Sequence, residues 1–488
     1  MANGKLTLSP RFLPGFSSIT WEGMKIVPAL VIFVICGGLW LIDPPSGLDL
    51  KAWQLFIIFF GTILGVVLKP LPMGAIALLG VVFATLTQTL TLPQALSSFS
   101  KPVVWLVVFA FFIAKGFIKT GLGSRIAYFF ISLLGKSSLG LSYGIVLTDF
   151  LLSPVIPSNT ARSGGILFPI VKSLSEEYGS SPKEGTQRKI GAFLMQVTFQ
   201  ADVVISGIFL TALAGNPLTI GFAREFGAEI TWMTWVLATI VPGMVCLLLI
   251  PLILYYLYPP EVKTTPEAPN IARENLKEMG SLQFGEVVML LTFSVLLVLW
   301  IFGSSLDVHP ATAALLGVVT LLSTGVLSWE DILKERGAWD TLIWFSILLG
   351  MATYLAEFGM MKWFGAHVQS LVSTYTMGVA VVILALIYFY SHYFFASATA
   401  HISSLYSVFL VAFIAAGVPP LPAALLLAVF SSLSSGLTHY GTGPAPVFYG
   451  AKYVKIKTWW ALGAIISVVN LAVWALLGPV WWRMIGML

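Results

Sequence analysis

The chain has 488 residues, 58% of them hydrophobic and 10% charged, with a mean hydropathy of +0.92. A soluble domain carries about a quarter of its residues as charges, so lipid must be the solvent for most of this surface. The net charge of +5 comes from basic residues scattered among loops, which excludes a nucleic-acid-binding stripe and matches the orienting excess of membrane proteins.

The first 23 residues contain Lys5 and Arg11 but no cleavable apolar core, so a signal peptide is not expected. Cys36 and Cys246 lie far apart in apolar runs; they read as core hydrophobes, with no disulfide or metal spacing. Apolar runs at 26–42, 53–69, 73–91 and 102–119 read as spans. Residues 139–174 are apolar but broken by Ser153-Pro154 and Pro157-Ser158-Asn159-Thr160, so neither half can span comfortably. This predicts a re-entrant helical hairpin whose polar tip is buried in protein at membrane depth. The next span, 190–222, is interrupted at Gly215-Asn216-Pro217, and 232–257 crosses cleanly.

A polar connector at 259–284 divides two halves, expected at 1–258 and 285–488. The second half repeats the order of the first. Scaffold spans fall within 285–357, a hairpin at 374–417, a broken helix at 421–450 and a last span at 459–486. Trp105 and Trp344, Ser158 and Ser397, and Thr160 and Thr399 are each 239 residues apart. Gly215 and Gly441 are 226 apart, the difference being absorbed by the loop at 175–189.

If Lys5, Arg11 and Lys25 hold the N-terminus in the cytoplasm, then Lys119, Arg125, Lys183, Arg188, Lys334, Arg336 and Lys452 also fall inside. The two repeats are then inverted. The expected fold is an all-α polytopic membrane protein with about 11 transmembrane helices, at roughly 20 residues per span, plus two re-entrant hairpins. No Walker-type phosphate loop, HExxH zinc motif or catalytic carboxylate cluster is present, so a secondary transporter is expected and an enzyme is not.

The chemistry concentrates at the discontinuities. Ser158, Asn159 and Thr160 can donate to an anion without holding it by a fixed charge, and helix N-termini add orphan N–H groups. The same residues would also serve as helix caps. Ser397 and Thr399 keep the hydroxyls at the second tip, whereas Ala398 replaces the amide. The breaks supply Gly215 and Asn216 in one half, Thr442 and Pro444 in the other, with backbone groups freed by Gly and Pro. Arg162, His401 and His439 are candidates for balancing substrate charge or for coupling, Asp149 being one possible partner of Arg162. No metal ligand set and no cofactor are expected.

Three stretches, SPVIPSNTARSGGILFPIVKSLS (153–175), SHYFFASATAHISSLYSVF (391–409) and GLTHYGTGPAPVFYGAKYV (436–454), resemble the divalent-anion/sodium symporter family. Within it they are similar to the 2-oxoglutarate/malate translocators, as is the ending WWRMIGML. The resemblance implies a homodimer working as an elevator; an N-terminus poorly suited to a plastid transit sequence makes a bacterial-type inner membrane the expected address. Ser158, Asn159, Thr160, Ser397 and Thr399 would bind substrate, supported by Gly215, Asn216, Thr442 and Pro444. The implied substrates are 2-oxoglutarate and malate, with succinate and fumarate as further candidates. Ala398 departs from the sodium-dependent pattern and points to exchange, while a sodium-coupled symporter on the same fold is the alternative. His401 and His439 are then expected to offset the dianion in place of sodium.

Overall fold

A computed structural model describes residues 23–303, 305–372 and 375–488, and the orienting residues Lys5 and Arg11 lie outside them. The first half runs α1 (Ile26–Trp40), α2 (Leu50–Leu68), α3 (Met73–Leu86), α4 (Leu92–Leu96), α5 (Pro102–Thr120), α6 (Leu122–Leu134), α7 (Ser138–Leu152), α8 (Phe168–Glu177), α9 (Gly191–Ile208), α10 (Gly215–Arg224) and α11 (Trp232–Leu257). After α12 (Ala268–Glu278) the second half runs α13 (Phe284–Phe302), α14 (Pro310–Ser323), α15 (Trp329–Lys334), α16 (Arg336–Glu357), α17 (Met360–Val372), α18 (Met377–Tyr390), α19 (Ala398–Ala415), α20 (Pro420–Leu433), α21 (Pro444–Gly450) and α22 (Ile456–Met484). Among the described residues, nine helices are long and apolar enough to cross a membrane.

The helices pack into two groups. In one, α5 and α16 sit together, with α14 and α13 against α5 and with α3 and α2 against α16. The other is built around α9, whose 18 residues are all buried beneath α7, α8, α11 and α20. The groups meet where α10 lies on α5 and α16, and there a Cβ on Gly221 would run into Leu349. Trp232 of α11 also stacks on Trp300 of α13 at 5.9 Å.

Helices α7 and α8 are joined by a turn and a π-helical stretch at Thr160–Leu167, and α18 and α19 by a 3₁₀ turn at Ser391–Phe394. Both broken helices interrupt between α9 and α10 and between α20 and α21. Two elements stand apart from the spans read in the sequence. Helices α6 and α17 are short, and each leads from a scaffold helix into a hairpin. At 13 residues each they fall below spanning length.

The connector is more ordered than its polarity implies. Its Thr265 N–H bonds Lys136 O, its Glu261 N–H bonds Arg188 O, and Ser138 N–H bonds Lys263 O. Helix α12 then buries Ala268, Pro269 and Ala272 and packs on α6. Polar pairs gather at this same end: Lys119 with Asp331 at 2.6 Å and Arg125 with Glu286 at 2.6 Å. Lys119, Arg125 and Arg188, which the sequence assigns to the cytoplasm, therefore lie at the connector end of the molecule.

Gly463 of α22 shows how closely the second break is packed. A Cβ there would approach Gly436 O at 2.8 Å and Leu437 O at 2.9 Å, and backbone cannot retreat as a side chain can. Gly463→Val is expected to cost roughly 1–3 kcal/mol and lower the melting temperature followed by tryptophan fluorescence. Gly450→Ala, whose Cβ meets nothing within 4 Å, should melt like the parent.

Candidate functional site

The first tip is fixed by charge. Arg162 follows it by two residues and is fully buried, and all five of its N–H donors are used. Nε donates to Asp149 Oδ1 on α7. Nη1 donates to Ile156 O in the tip and to Ala212 O in the first break, both at 3.0 Å. Nη2 donates to Asp202 Oδ1 at 2.8 Å and to Ser206 Oγ at 3.1 Å, both on α9. One side chain thus joins the hairpin's first arm, its tip, the core helix and the break. A buried guanidinium is tolerable only when paired and hydrogen-bonded throughout, and this one is. No donor of Arg162 remains for a ligand.

The first tip then reaches across to the second half. Asn159 Nδ2 donates to Thr442 Oγ1 at 2.8 Å, a bond between residues 283 apart in sequence. Gly443 lies so close to Thr160 that a Cβ there would overlap its hydroxyl. Ser158 Oγ accepts from Ala161 N–H at 3.2 Å, a cap that leaves its own proton free to donate. Pro444 is buried as the first residue of α21. Exposed Thr160, Gly165, Pro169 and Lys172 form a strip from this tip to the end of the molecule that carries the connector.

The first break closes on itself and on the second hairpin. Asn216 Nδ2 donates to Ser206 O at 2.8 Å and Phe209 O at 3.0 Å, satisfying carbonyls that the end of α9 exposes. Asn216 Oδ1 stays buried without a protein partner. Gly215 has no room for a side chain: a Cβ would meet Ile402 at 2.7 Å and lie 3.7 Å from Thr399 Oγ1. Ser397 Oγ accepts from Ala400 N–H at 3.4 Å as the N-cap of α19.

The second hairpin carries no counterpart of the arginine network. His392 Nε2 donates to Gly441 O at 2.8 Å, since a carbonyl can only accept, and so ties this hairpin to the second break. His401 Nε2 lies 2.9 Å from Ser391 Oγ and 3.1 Å from Tyr388 O. Its ring is 4.9 Å from that of His392. His439 stands apart, half-buried, with Nδ1 accepting from Trp460 Nε1 at 3.1 Å and rings of Tyr449 and Tyr440 beside it.

The structure therefore brings Asn159, Thr160, Thr442 and Pro444 together at one junction, and Gly215, Asn216 and Thr399 at the other. Arg162 and His401 face protein partners, and His439 sits in an aromatic surround. Asp202 and His392 were legible only as costly intramembrane polar groups; their partners lie 40 and 49 residues away and leave no spacing signal. What the arrangement offers a ligand is hydroxyls, the amides of Asn159 and Asn216, and helix ends.

A family described as the sodium:sulfate symporter transmembrane region matches residues 23–488. YflS of Bacillus subtilis strain 168, a transporter named for malate, is 52% identical over 466 residues, covering 95% of this chain and 98% of that one. The chloroplastic dicarboxylate transporter 1 of Spinacia oleracea is 48% identical, covering 96% and 83%. The inner membrane protein YbhI of Escherichia coli K12 is 35% identical, covering 94% and 97%. Among solved structures, the YdaH transporter of Alcanivorax borkumensis superposes with a TM-score of 0.57 at 14% identity over 94% of this chain and 97% of that one, which shows a shared fold.

Removing Arg162 would strand two buried carboxylates, a loss of about 3–5 kcal/mol. Asn159→Ala leaves one buried hydroxyl without its donor, about 1–3 kcal/mol. Thermal melts of purified protein should therefore rank Arg162→Gln far below Asn159→Ala. The opposite ranking would show that the arginine network does not hold the tip.

Proposed function

The chain belongs to the sodium:sulfate symporter transmembrane family, a multi-pass membrane transporter and not an enzyme, and from that premise we propose that it exchanges 2-oxoglutarate for malate across the cytoplasmic membrane. The observation that carries this reading is the junction itself. The Asn159–Thr442 bond and the Gly215–Thr399 approach bring both tips and both breaks into two adjoining contacts, where neutral donors can meet two carboxylates. Relatives aligned over nearly the whole chain are named for malate or for dicarboxylates. Succinate and fumarate present the same pair of carboxylates and fit the same donors.

Ala398 supports exchange over sodium symport. The first tip places an amide at Asn159, bonded to the opposite break; the second places a methyl group there, buried and without polar atoms. Sodium prefers several oxygen ligands, and this position supplies none from its side chain. The alternative reading, sodium-coupled symport, draws on the family's description alone.

The two helix groups supply the parts of an elevator. The group around α9 holds both hairpins and both breaks and would carry substrate, while the group around α5 and α16 would stay fixed as the dimer scaffold. Gly221 lets α10 approach Leu349 of α16 closely at the seam between them. In this arrangement the repeats are inverted, the hairpins re-entrant, and the N-terminus and connector cytoplasmic.

Labelled 2-oxoglutarate should enter proteoliposomes loaded with malate and not empty ones, at equal rates with sodium or potassium outside. Sodium-driven uptake into empty vesicles would return the protein to the symporter reading.

A further inference from the structure

The dianion's charge has no evident complement at the tips. Arg162 spends every donor on protein, and His392 and His401 face backbone carbonyls. Two free cations stand nearby. A cavity of about 520 Å3 lies beside the second tip, where Lys25, Lys69 and Ser397 stand in an otherwise apolar lining that includes Ala400. That volume falls in the range of small-molecule sites, roughly 300–1,000 Å3.

The cavity lies where the moving and fixed groups meet. Phe395 and Ala400 of the second hairpin pack on Val66 and Ile76, which flank the turn between α2 and α3. The same turn lies at the connector end of the molecule, because Gly74 sits against Asp340, four residues beyond Arg336. Lys25 is held to this turn by its N–H bond to Pro70 O at 3.0 Å. Neither lysine has a carboxylate partner among the described residues.

Lys69 carries a second signal. It closes α2 at φ 52° and ψ 52°, a left-handed position that glycine usually fills. A lysine kept there holds a charge at this cavity against its backbone preference, and such outliers gather at functional sites.

We propose that Lys25 and Lys69 form a cationic antechamber that receives the dicarboxylate between the cytoplasm and Ser397 at the second tip. The inference rests on the dicarboxylate reading above. Two ammonium groups on flexible stems raise the local concentration of a dianion and release it readily, because both are solvated. The lysines stay on the fixed group, so they act on entry and exit and do not travel with the substrate.

The test compares exchange kinetics of the parent with Lys25→Gln/Lys69→Gln in phosphatidylcholine proteoliposomes. Ionic strengths of about 0.01 M and about 0.15 M bracket Debye lengths of about 30 and 8 Å. At low salt the double variant should raise KM about threefold or more with Vmax within about twofold of the parent, and at high salt the difference should shrink. Lys25→Arg/Lys69→Arg should restore the parent KM, and Lys69→Gly should raise KM while melting no lower than the parent. An unchanged KM at both salts overturns the antechamber, as does a fall in Vmax alone. A KM effect that appears only when anionic lipid is added assigns the lysines to headgroups and overturns it too. A parent that exchanges no dicarboxylate removes the function and the antechamber together, whereas a working parent with a silent double variant removes only the antechamber.

Discussion

The buried guanidinium of Arg162 is the constraint from which the first half of the site is built. A charge at membrane depth is stable only when every donor is met. Meeting five donors requires Asp149, Ile156, Asp202, Ser206 and Ala212 to stay in fixed relation. Those residues span a hairpin arm, a tip, a core helix and a helix break. Unwound backbone is costly in lipid unless protein satisfies it, and here the arginine and Asn216 do so for the carbonyls of the first break. Through Asn159, the anchored tip in turn holds Thr442 of the second break.

The second half solves the same problem without ions. Its tip is joined to its break by neutral bonds, His392 to Gly441 O and Tyr440 to Tyr393 O, and the rings of Tyr388 and Phe395 pack on His401 beside the tip. Breaking a buried ion pair leaves an uncompensated charge, whereas breaking a neutral bond costs about 1–3 kcal/mol. Releasing the first hairpin therefore means separating buried ions, whereas the second is held by neutral bonds alone. Repeats that share a fold need not share mechanics.

Much of this was legible in the sequence, for reasons that can be named. Pro157, Gly215 and Gly441 interrupt apolar runs and mark the turns directly, and the recurring separation of 239 residues exposes the repeat. What stayed hidden was of two kinds. Helices α6 and α17 are too short to read as spans and too amphipathic to read as loops. Pairings such as Asn159 with Thr442 or Arg162 with Asp202 join distant residues that no period connects. The connector misled by composition: Glu261, Lys263 and Thr265 look solvated, yet their backbone groups are tied to residues 136–138 and 188. Polarity describes side chains, and main-chain pairing is independent of it.

A transporter must release what it binds on both faces, and that limits how strongly any one group can hold it. A hydrogen bond between neutral partners contributes about 0.5–1.5 kcal/mol and one to a charged group about 1.5–3 kcal/mol. An arginine presented to each carboxylate would slow release by orders of magnitude, since every 1.4 kcal/mol is tenfold. The strongest donor near the first tip is turned inward, where its strength stabilises the fold and adds nothing to substrate affinity. On the reading proposed above, the residues left at the junction, Ser158, Thr160, Thr399 and Thr442, would each bind weakly. Their combined hold would last only while both tips and both breaks stay assembled, so on that reading the geometry that Arg162 fixes is also what would give weak donors a site.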